Sequence, residues 1–383
     1  MVKILVLGAG RMGLAAAYDL AHSKGVDGVT IADIDEQRAR EVAIRADADR
    51  VVARRIDVGD RRAIVELMHG HDAVISCVTY KWNLSLAEAA IEAGANFCDL
   101  GGNNAVVDAE LALDAKAREK GIRIIPDCGL APGMVAVLVA HGAKRFEQLD
   151  EVHIRVGGLP QNPKPPLDYQ MVFSVEGLIN EYVEKARVMR GGEIVEVDSM
   201  TELETLEFPE PFGKLEAFQT SGGTSTLPDT FRGKLRELDY KTIRYRGHCD
   251  KFKAMLDLGL GSSEPLVVDR LVLPPRRLFA ELLVRNLPHD EPDVVLVRVE
   301  LAGSGGGSEG RRLRFDIIDY QDEKTGLSAM MRTTAFPASI VAQMMARGDI
   351  EATGAIPQER CVPTDIFMRE LAQRKIEVKE YRL

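Results

Sequence analysis

The placement of proline constrains this chain more than any other feature. All 17 prolines fall at Pro126 or later, so the first 125 residues hold nothing that forces a helix to break or a strand to lose a ladder donor. In that stretch short apolar runs at 2–7, 28–32, 51–56, 73–78, 96–100 and 122–126 alternate with helical patterns such as 84–93 and 107–120. Asp60 is placed to cap a helix that Gly70 ends. Strands that alternate with helices pair in parallel and are covered on both faces, so six strands of a dinucleotide-binding domain are expected.

The rest of the chain differs in kind. Residues 174–186 put Val175, Leu178, Ile179, Tyr182, Val183 and Ala186 on one helical face. Two alternating runs, 293–301 and 311–320, flank GSGGGSEG and predict a long antiparallel hairpin with a flexible tip. Near the end Pro337 suits the first turn of a helix carrying Ile340, Val341, Met344 and Met345, with Gly348 as its stop. The predicted fold class is α/β: a Rossmann doubly wound parallel sheet (1–130), an inserted α+β second domain (131–335) and a C-terminal helical return to the first domain (336–383).

Composition removes several functions. A formal charge of -10 argues against a nucleic-acid surface. No apolar run approaches the ~20 residues of a membrane span, and the N-terminal segment lacks the pattern of a signal peptide. A cytoplasmic location is therefore expected, without a membrane partner. Five cysteines, an odd number at long spacings, suggest neither a disulfide framework nor a metal site.

The sequence Gly8-Ala9-Gly10-Arg11-Met12-Gly13 follows the first strand and opens a helix, and Asp33 ends the second strand about 20 residues on. Gly8 permits the tight turn, Gly10 lets the backbone approach a pyrophosphate, and Gly13 lets helix and strand pack closely. Asp33 would accept hydrogen bonds from ribose hydroxyls and repel a 2′-phosphate, and the nearest following arginine, Arg38, is a helical turn further on. NAD is expected over NADP. Asp57, after strand three, is placed near the adenine or simply caps a turn; Cys77 and Val78, after strand four, are placed near the nicotinamide.

Strand five ends in CDLGGNN and strand six leads into PDCGLAPGM, so Asp99 and Asp127 lie beside glycines at the carboxyl edge of the sheet. Each could hold an ammonium or move a proton, or could cap a helix. Arg244 and Arg246 alternate in KTIRYRGH, on one face of an expected strand, where a guanidinium fork would suit the α-carboxylate of an amino acid, or the face is exposed and merely basic. The run 219–224, with Thr220 and Gly223, could line a pocket or form only a loop.

VLGAGRMG, CDLGGN, PDCGLAPGM, VFSVEGLINEY, LEAFQTSGGTSTL and YKTIRYRGH resemble the saccharopine dehydrogenase family, over nearly the whole chain and closest to its lysine 6-dehydrogenase branch. The resemblance implies an NAD enzyme that deaminates the lysine ε-amine to an aldehyde (allysine), and an inserted domain that binds substrate and mediates homodimer formation. It supports the pocket reading of Thr220 and Gly223. One departure is Asn103-Asn104 after DLGG, where that branch carries histidine. His248, with a reference pKa of about 6.5, is the more credible proton acceptor, or else simply a packed strand residue, with Asp99 or Asp127 orienting the amine. Tyr169 and Glu176 could contact the α-ammonium, but a carboxylate in the first turn of a helix is stabilising in any case, and neither is counted among the site residues. Two other readings stay open: a saccharopine-type enzyme acting on a secondary amine, with Arg246 as second anchor, and a non-catalytic NAD-binding protein.

Overall fold

The computed structural model describes residues 2–305 and 308–383. The chain divides into two compact units: one formed by 1–145, 225–230 and 331–378, the other by 146–224, 231–330 and 379–383.

The first unit is built on strands β1 (Val2–Leu7), β2 (Val26–Asp33), β3 (Val51–Arg55), β4 (Ala73–Ser76), β5 (Asn96–Asp99) and β6 (Arg123–Ile125). All pair in parallel, in the order β6-β5-β4-β1-β2-β3, and the short strand Gly354–Ala355 adds a seventh beside β6. Residues Ile4 to Leu7 and Ala73 to Ile75 are fully buried, as a sheet covered on both faces requires. The helix Arg61–Met68 is capped by the Asp60 carboxylate, which accepts from the Ala63 amide at 3.1 Å.

Helices from the end of the chain complete this unit. The helix Ala329–Arg347 buries Ala338, Ile340, Val341, Ala342, Met344 and Met345. Its Ser339 hydroxyl donates to Asp19 at 2.6 Å, and Arg374 Nε donates to the other Asp19 oxygen at 2.7 Å. That network fixes the helix Arg11–His22 (α1), on which Asp19 lies. Pro337 does not open the helix as the sequence reading expected; it lies inside it. The segment before it, AMMRTTAF, is itself a good helix former with Ala329, Met330, Met331, Ala335 and Phe336 buried, and this packing outweighs the missing amide donor.

The second unit carries a nine-stranded mixed sheet whose central strands are Gln148–Pro160, Glu237–Arg244 and the hairpin Asp293–Gly305/Ser308–Tyr320. The expected tip of that hairpin includes residues 306 and 307, outside the described residues. The helix predicted at 174–186 is found at Val175–Val183, with the Ser174 hydroxyl accepting from the Gly177 amide at 3.1 Å. The last strand, Lys379–Arg382, pairs with Leu313–Asp316 in this sheet, which the sequence did not signal. Among the described residues no helix is long and apolar enough to cross a membrane.

Candidate active site

In the first unit each glycine of the loop after β1 has a distinct physical role. Gly8 has φ of +97°, and a Cβ there would lie 2.9 Å from the Cys77 carbonyl oxygen. At Gly13 a Cβ would lie 1.8 Å from the Gly8 carbonyl oxygen, so helix and loop pack with no room for a side chain. Around Gly10 a Cβ would meet nothing within 4 Å. Gly10 is therefore bare for a reason outside the fold, and backbone approach of a ligand supplies one. No side chain caps α1 and no acid occupies its first turn, so its amide donors suit a pyrophosphate. Arg11 is exposed and Met12 half-buried at this helix start.

Asp33 closes the loop from the other side. One carboxylate oxygen accepts from the Ala9 amide at 2.7 Å and the other from the Asp35 amide at 2.9 Å. The ladder register sets Arg55 opposite Asp33, with Arg55 Nε donating to the Ile34 carbonyl at 3.3 Å. This arginine was not anticipated, because it comes from β3 and only the register brings it there. Asp57 is exposed and accepts from the Gly59 amide at 2.9 Å, the turn-capping role. Cys77 and Val78 follow β4, half-buried, with Val78 packed against Gly8. Cradle, helix start and acid together fit a nicotinamide dinucleotide.

At the carboxyl edge of the same sheet three acids are buried together: Asp99 (0% exposed), Asp127 (3%) and Glu110 (0%). Asp99 ends β5 and accepts from the Gly101 amide at 2.6 Å and the Asp127 amide at 3.3 Å through one oxygen. Asp127 has φ of +61°, and its carboxyl crowds the Gly101 α-carbon, where a Cβ would be 2.0 Å from Asp127 Oδ1. Ser225 donates its hydroxyl to Asp127 Oδ2, and Gln358 donates to the Asp127 carbonyl. Asp99 Oδ2, Asp127 Oδ1 and both Glu110 oxygens have no hydrogen-bond donor among the described residues. Glu110 sits on the helix Asn104–Leu111, which Asn103 caps by accepting from the Val106 amide at 3.2 Å.

Burial raises the pKa of each acid, and the neighbouring carboxylates raise those of Glu110 and Asp127 further; Asp127 is pushed up to about 8. Burial first, and the Asp99 charge second, push Glu110 up to about 11, so Glu110 keeps its proton at neutral pH. The sign for stability follows. The folded chain holds protons that the unfolded chain releases, so this contribution is present below the ordinary carboxyl range and is lost as pH rises through about 8. Asp127→Asn is therefore expected to melt higher than the wild type at alkaline pH, by roughly 1–2 kcal/mol or about 2–6 °C, and to lose that advantage in acid. Melting curves across pH check this; a parallel pH dependence in both proteins would count against it.

The second unit holds a different constellation. Arg244 ends its strand, 2% exposed. Its Nε donates to the Tyr182 hydroxyl at 2.8 Å and its Nη1 to the Ile243 carbonyl at 2.9 Å, while the guanidinium lies 4.7 Å from the Tyr169 ring centre. Among the described residues no acid lies within ion-pairing distance of it. The other buried arginine of this unit, Arg155, is engaged by Asp239 and Glu204. Glu181 contributes only at longer range; burial lifts it to about 7 against the pull of Arg244. Thr220 shares a 2.7 Å hydrogen bond with Thr242, and Gly223 lies where a Cβ would strike the Tyr240 ring at 2.3 Å. Glu176 pairs on the surface with Arg276 at 2.9 Å.

Two expectations are corrected here. Arg246 is not on the strand with Arg244; the strand stops at Arg244, and Arg246 is exposed in the turn before the next helix. Gly247, with φ of +89°, ends the alternation that the sequence pattern extended too far. His248 lacks the free imidazole expected of a proton acceptor. It is 1% exposed, its Nε2 shares a hydrogen with the Tyr182 hydroxyl at 3.1 Å and its Nδ1 meets the Leu167 carbonyl at 3.0 Å. Burial first, and the Arg244 charge second, hold its pKa down at about 3. Tyr182 and Glu110 were missed: the first reads as a core residue in a helical stripe, and the second is a lone acid three residues after Val107 on the buried face of its helix.

The saccharopine dehydrogenase NADP binding domain matches residues 4–125 and the saccharopine dehydrogenase C-terminal domain matches 129–376. Among curated proteins the chain is 23% identical to carboxynorspermidine synthase of Vibrio cholerae, over 97% of this chain and 94% of that one. It is 23% identical to an NADP(+)-dependent, L-glutamate-forming saccharopine dehydrogenase of Pyricularia oryzae, over 81% of this chain and 69% of that one. With the mitochondrial alpha-aminoadipic semialdehyde synthase of mouse it shares 22% identity over 92% of its own length but 45% of the longer chain. The structure of saccharopine dehydrogenase (L-Glu forming) from Saccharomyces cerevisiae superposes with a TM-score of 0.82 at 19% identity, over all of both chains. Homospermidine synthase of Legionella pneumophila, in complex with NAD, gives 0.69 at 13% identity, over all of this chain and 91% of that one.

Proposed function

Since the chain belongs to the saccharopine dehydrogenase family and is an NAD(P)-dependent oxidoreductase, we propose that it oxidises an amino-acid amine with NAD, its substrate being the ε-amine of L-lysine. The observation that carries this reading is Arg244, a buried guanidinium with no acid partner and a wall of aromatic rings, which is the environment that binds one substrate carboxylate.

A bound nicotinamide would supply the hydride acceptor for the carbon that carries the amine. The chain's own residues do the rest. Gly8, Gly10, Gly13 and the start of α1 hold the dinucleotide phosphates, and Asp33 holds the ribose hydroxyls. Arg244, oriented by Tyr182, anchors the α-carboxylate. Lysine's ε-amine is protonated at neutral pH, with a reference pKa of about 10.4, so a proton must leave before the C–H bond breaks. Within the first unit Asp127, with its pKa at about 8, is the group suited to accept a proton in this range, with Asp99 beside it. Loss of hydride and proton leaves an imine, and water converts it to an aldehyde and ammonia. His248, neutral throughout this range, orients Tyr182. kcat/KM is expected to rise at least about tenfold between roughly pH 7 and pH 9. A flat profile would remove Asp127 from this role.

Cofactor choice rests on Asp33. Replacing it with alanine is expected to lower kcat/KM for NAD by about 10-fold to 100-fold, from the loss of charged hydrogen bonds, and to raise NADP use with Arg55 nearby. Steady-state kinetics with both cofactors decides. If the wild type already prefers NADP, Asp33 does not set the choice.

A second reading, oxidation of a secondary amine of the saccharopine type, is supported by the names of the relatives. A substrate with two carboxylates calls for a second buried anchor. Arg246 is exposed, and Arg155 is already paired. Among the described residues Arg244 is the buried guanidinium of the second unit left for a carboxylate, which favours the lysine reading.

A further inference from the structure

Asp127 and the serine that binds its carboxyl both sit in a backbone conformation that side chains ordinarily avoid. Asp127 has φ of +61°, and Ser225, whose hydroxyl donates to Asp127 Oδ2, has φ of +38°. Glycine takes such left-handed values freely, and other residues take them only where the surroundings fix them. A glycine at 225 would be unstrained, so what serine adds there is its hydroxyl.

The surroundings do fix both residues. The Asp127 amide donates to Asp99 at 3.3 Å, and the Asp127 carbonyl accepts from Gln358. Ser225 opens the segment 225–230, which belongs to the first unit although the chain on either side of it belongs to the second. Glu359 ties that segment down: one carboxylate oxygen accepts from the Thr226 hydroxyl at 2.9 Å and from the Thr230 hydroxyl at 2.6 Å. A hydroxyl 98 residues away in sequence is thereby held on Asp127 with both residues buried, and a hydrogen bond to a carboxylate shielded from water is a strong one.

The two oxygens of the Asp127 carboxyl are treated differently. Oδ2 is taken by Ser225. Oδ1 has no partner among the described residues and fills the space that a side chain at Gly101 would need. With one oxygen tied and the other bare, the carboxyl presents a lone pair in a fixed place, as a group that takes a proton from a positioned donor must. Burial, then the charges of Asp99, Glu359 and Asp108, push this carboxyl up, while the Ser225 hydroxyl pulls it down; Glu110 keeps its proton and adds no charge.

We propose that Ser225 is a positioning residue for the reaction assigned above: by holding Oδ2 it fixes the Asp127 carboxylate so that the bare Oδ1 takes the proton of the substrate amine. The inference rests on Asp127 being the proton acceptor.

Two variants test it. Ser225→Gly removes the hydroxyl and suits the backbone, and Ser225→Ala removes it with a side chain left in place. Each is melted at pH 7 and pH 9, in the wild-type background and in Asp127→Asn. The drop in melting temperature is expected to be about 1–3 °C larger at pH 9 in the wild-type background, because the hydroxyl holds the anion more tightly than the acid. In Asp127→Asn the drop is expected to be the same at both pH values. A serine that merely shapes its loop would give a drop independent of pH in both backgrounds, and that result would overturn the proposal. In parallel, the half-rise of kcat/KM for lysine is expected to move up by about one pH unit in both variants. An unmoved profile beside pH-dependent melting would overturn it from the other side: Ser225 would hold Asp127, but Asp127 would take no proton in the reaction.

Discussion

Replacing Arg244 with methionine is expected to lower kcat/KM for the amino-acid substrate by about 10²–10⁴-fold, while NAD binding, measured by fluorescence titration, stays within about twofold. The size follows from the surroundings. A guanidinium 2% exposed and stacked on Tyr169 has been stripped of water, so a substrate carboxylate gains a desolvated, forked partner, and its removal leaves that carboxylate buried alone. Arg244→Lys is expected to recover little, because an ammonium cannot both bond Tyr182 and present a planar fork. Folding is expected to survive, since among the described residues no acid is ion-paired with Arg244, and Glu181, which feels its charge only at longer range, can take up a proton when that charge is removed. An Arg244→Met protein with unchanged kcat/KM would show that the substrate is anchored elsewhere.

The second large effect separates two glycines that look alike in the sequence. Gly13→Ala puts a Cβ 1.8 Å from the Gly8 carbonyl oxygen, a contact that only backbone movement relieves. It is expected to destabilise the first unit by about 1–3 kcal/mol and to abolish measurable NAD binding. Gly10→Ala meets no atom within 4 Å, so the free protein is expected to melt within about 1 °C of the wild type. Its NAD affinity is expected to fall at least about tenfold, because the added methyl occupies the path of the pyrophosphate. Calorimetric titration and melting curves on the two variants test this together. Equal melting and equal affinity loss would mean that the loop has no such division of labour.

The sheet of the first unit was legible because proline-free alternation of apolar runs and helical patterns leaves few topologies, and the glycine fingerprint and Asp33 occupy the places that the pattern assigns. Asp99 and Asp127 were legible too, as acids beside glycines at strand ends. What escaped was information carried by partners far apart in sequence. Ser225 and Gln358 reach Asp127 from about 100 and 230 residues away, and Arg55 meets Asp33 only through strand register. Arg246 departs from the expected strand for a local reason: the strand ends at Arg244 and Gly247 takes a left-handed conformation, so Arg246 falls in an exposed turn, while His248 takes the packed alternative of its two readings. Pro337 shows the reverse, a local preference overridden by the packing of the residues before it.

The central claim is that this chain oxidises the ε-amine of lysine with NAD. The most direct measurement is the appearance of reduced nicotinamide absorbance with purified protein at mildly alkaline pH, offering lysine, saccharopine, ornithine or glutamate with NAD or NADP, and assaying ammonia in parallel. Turnover with lysine and NAD is expected, with one ammonia released for each nicotinamide reduced. Turnover of saccharopine without lysine, or reduction with no ammonia released, would contradict it and move the chain to the secondary-amine enzymes of its family.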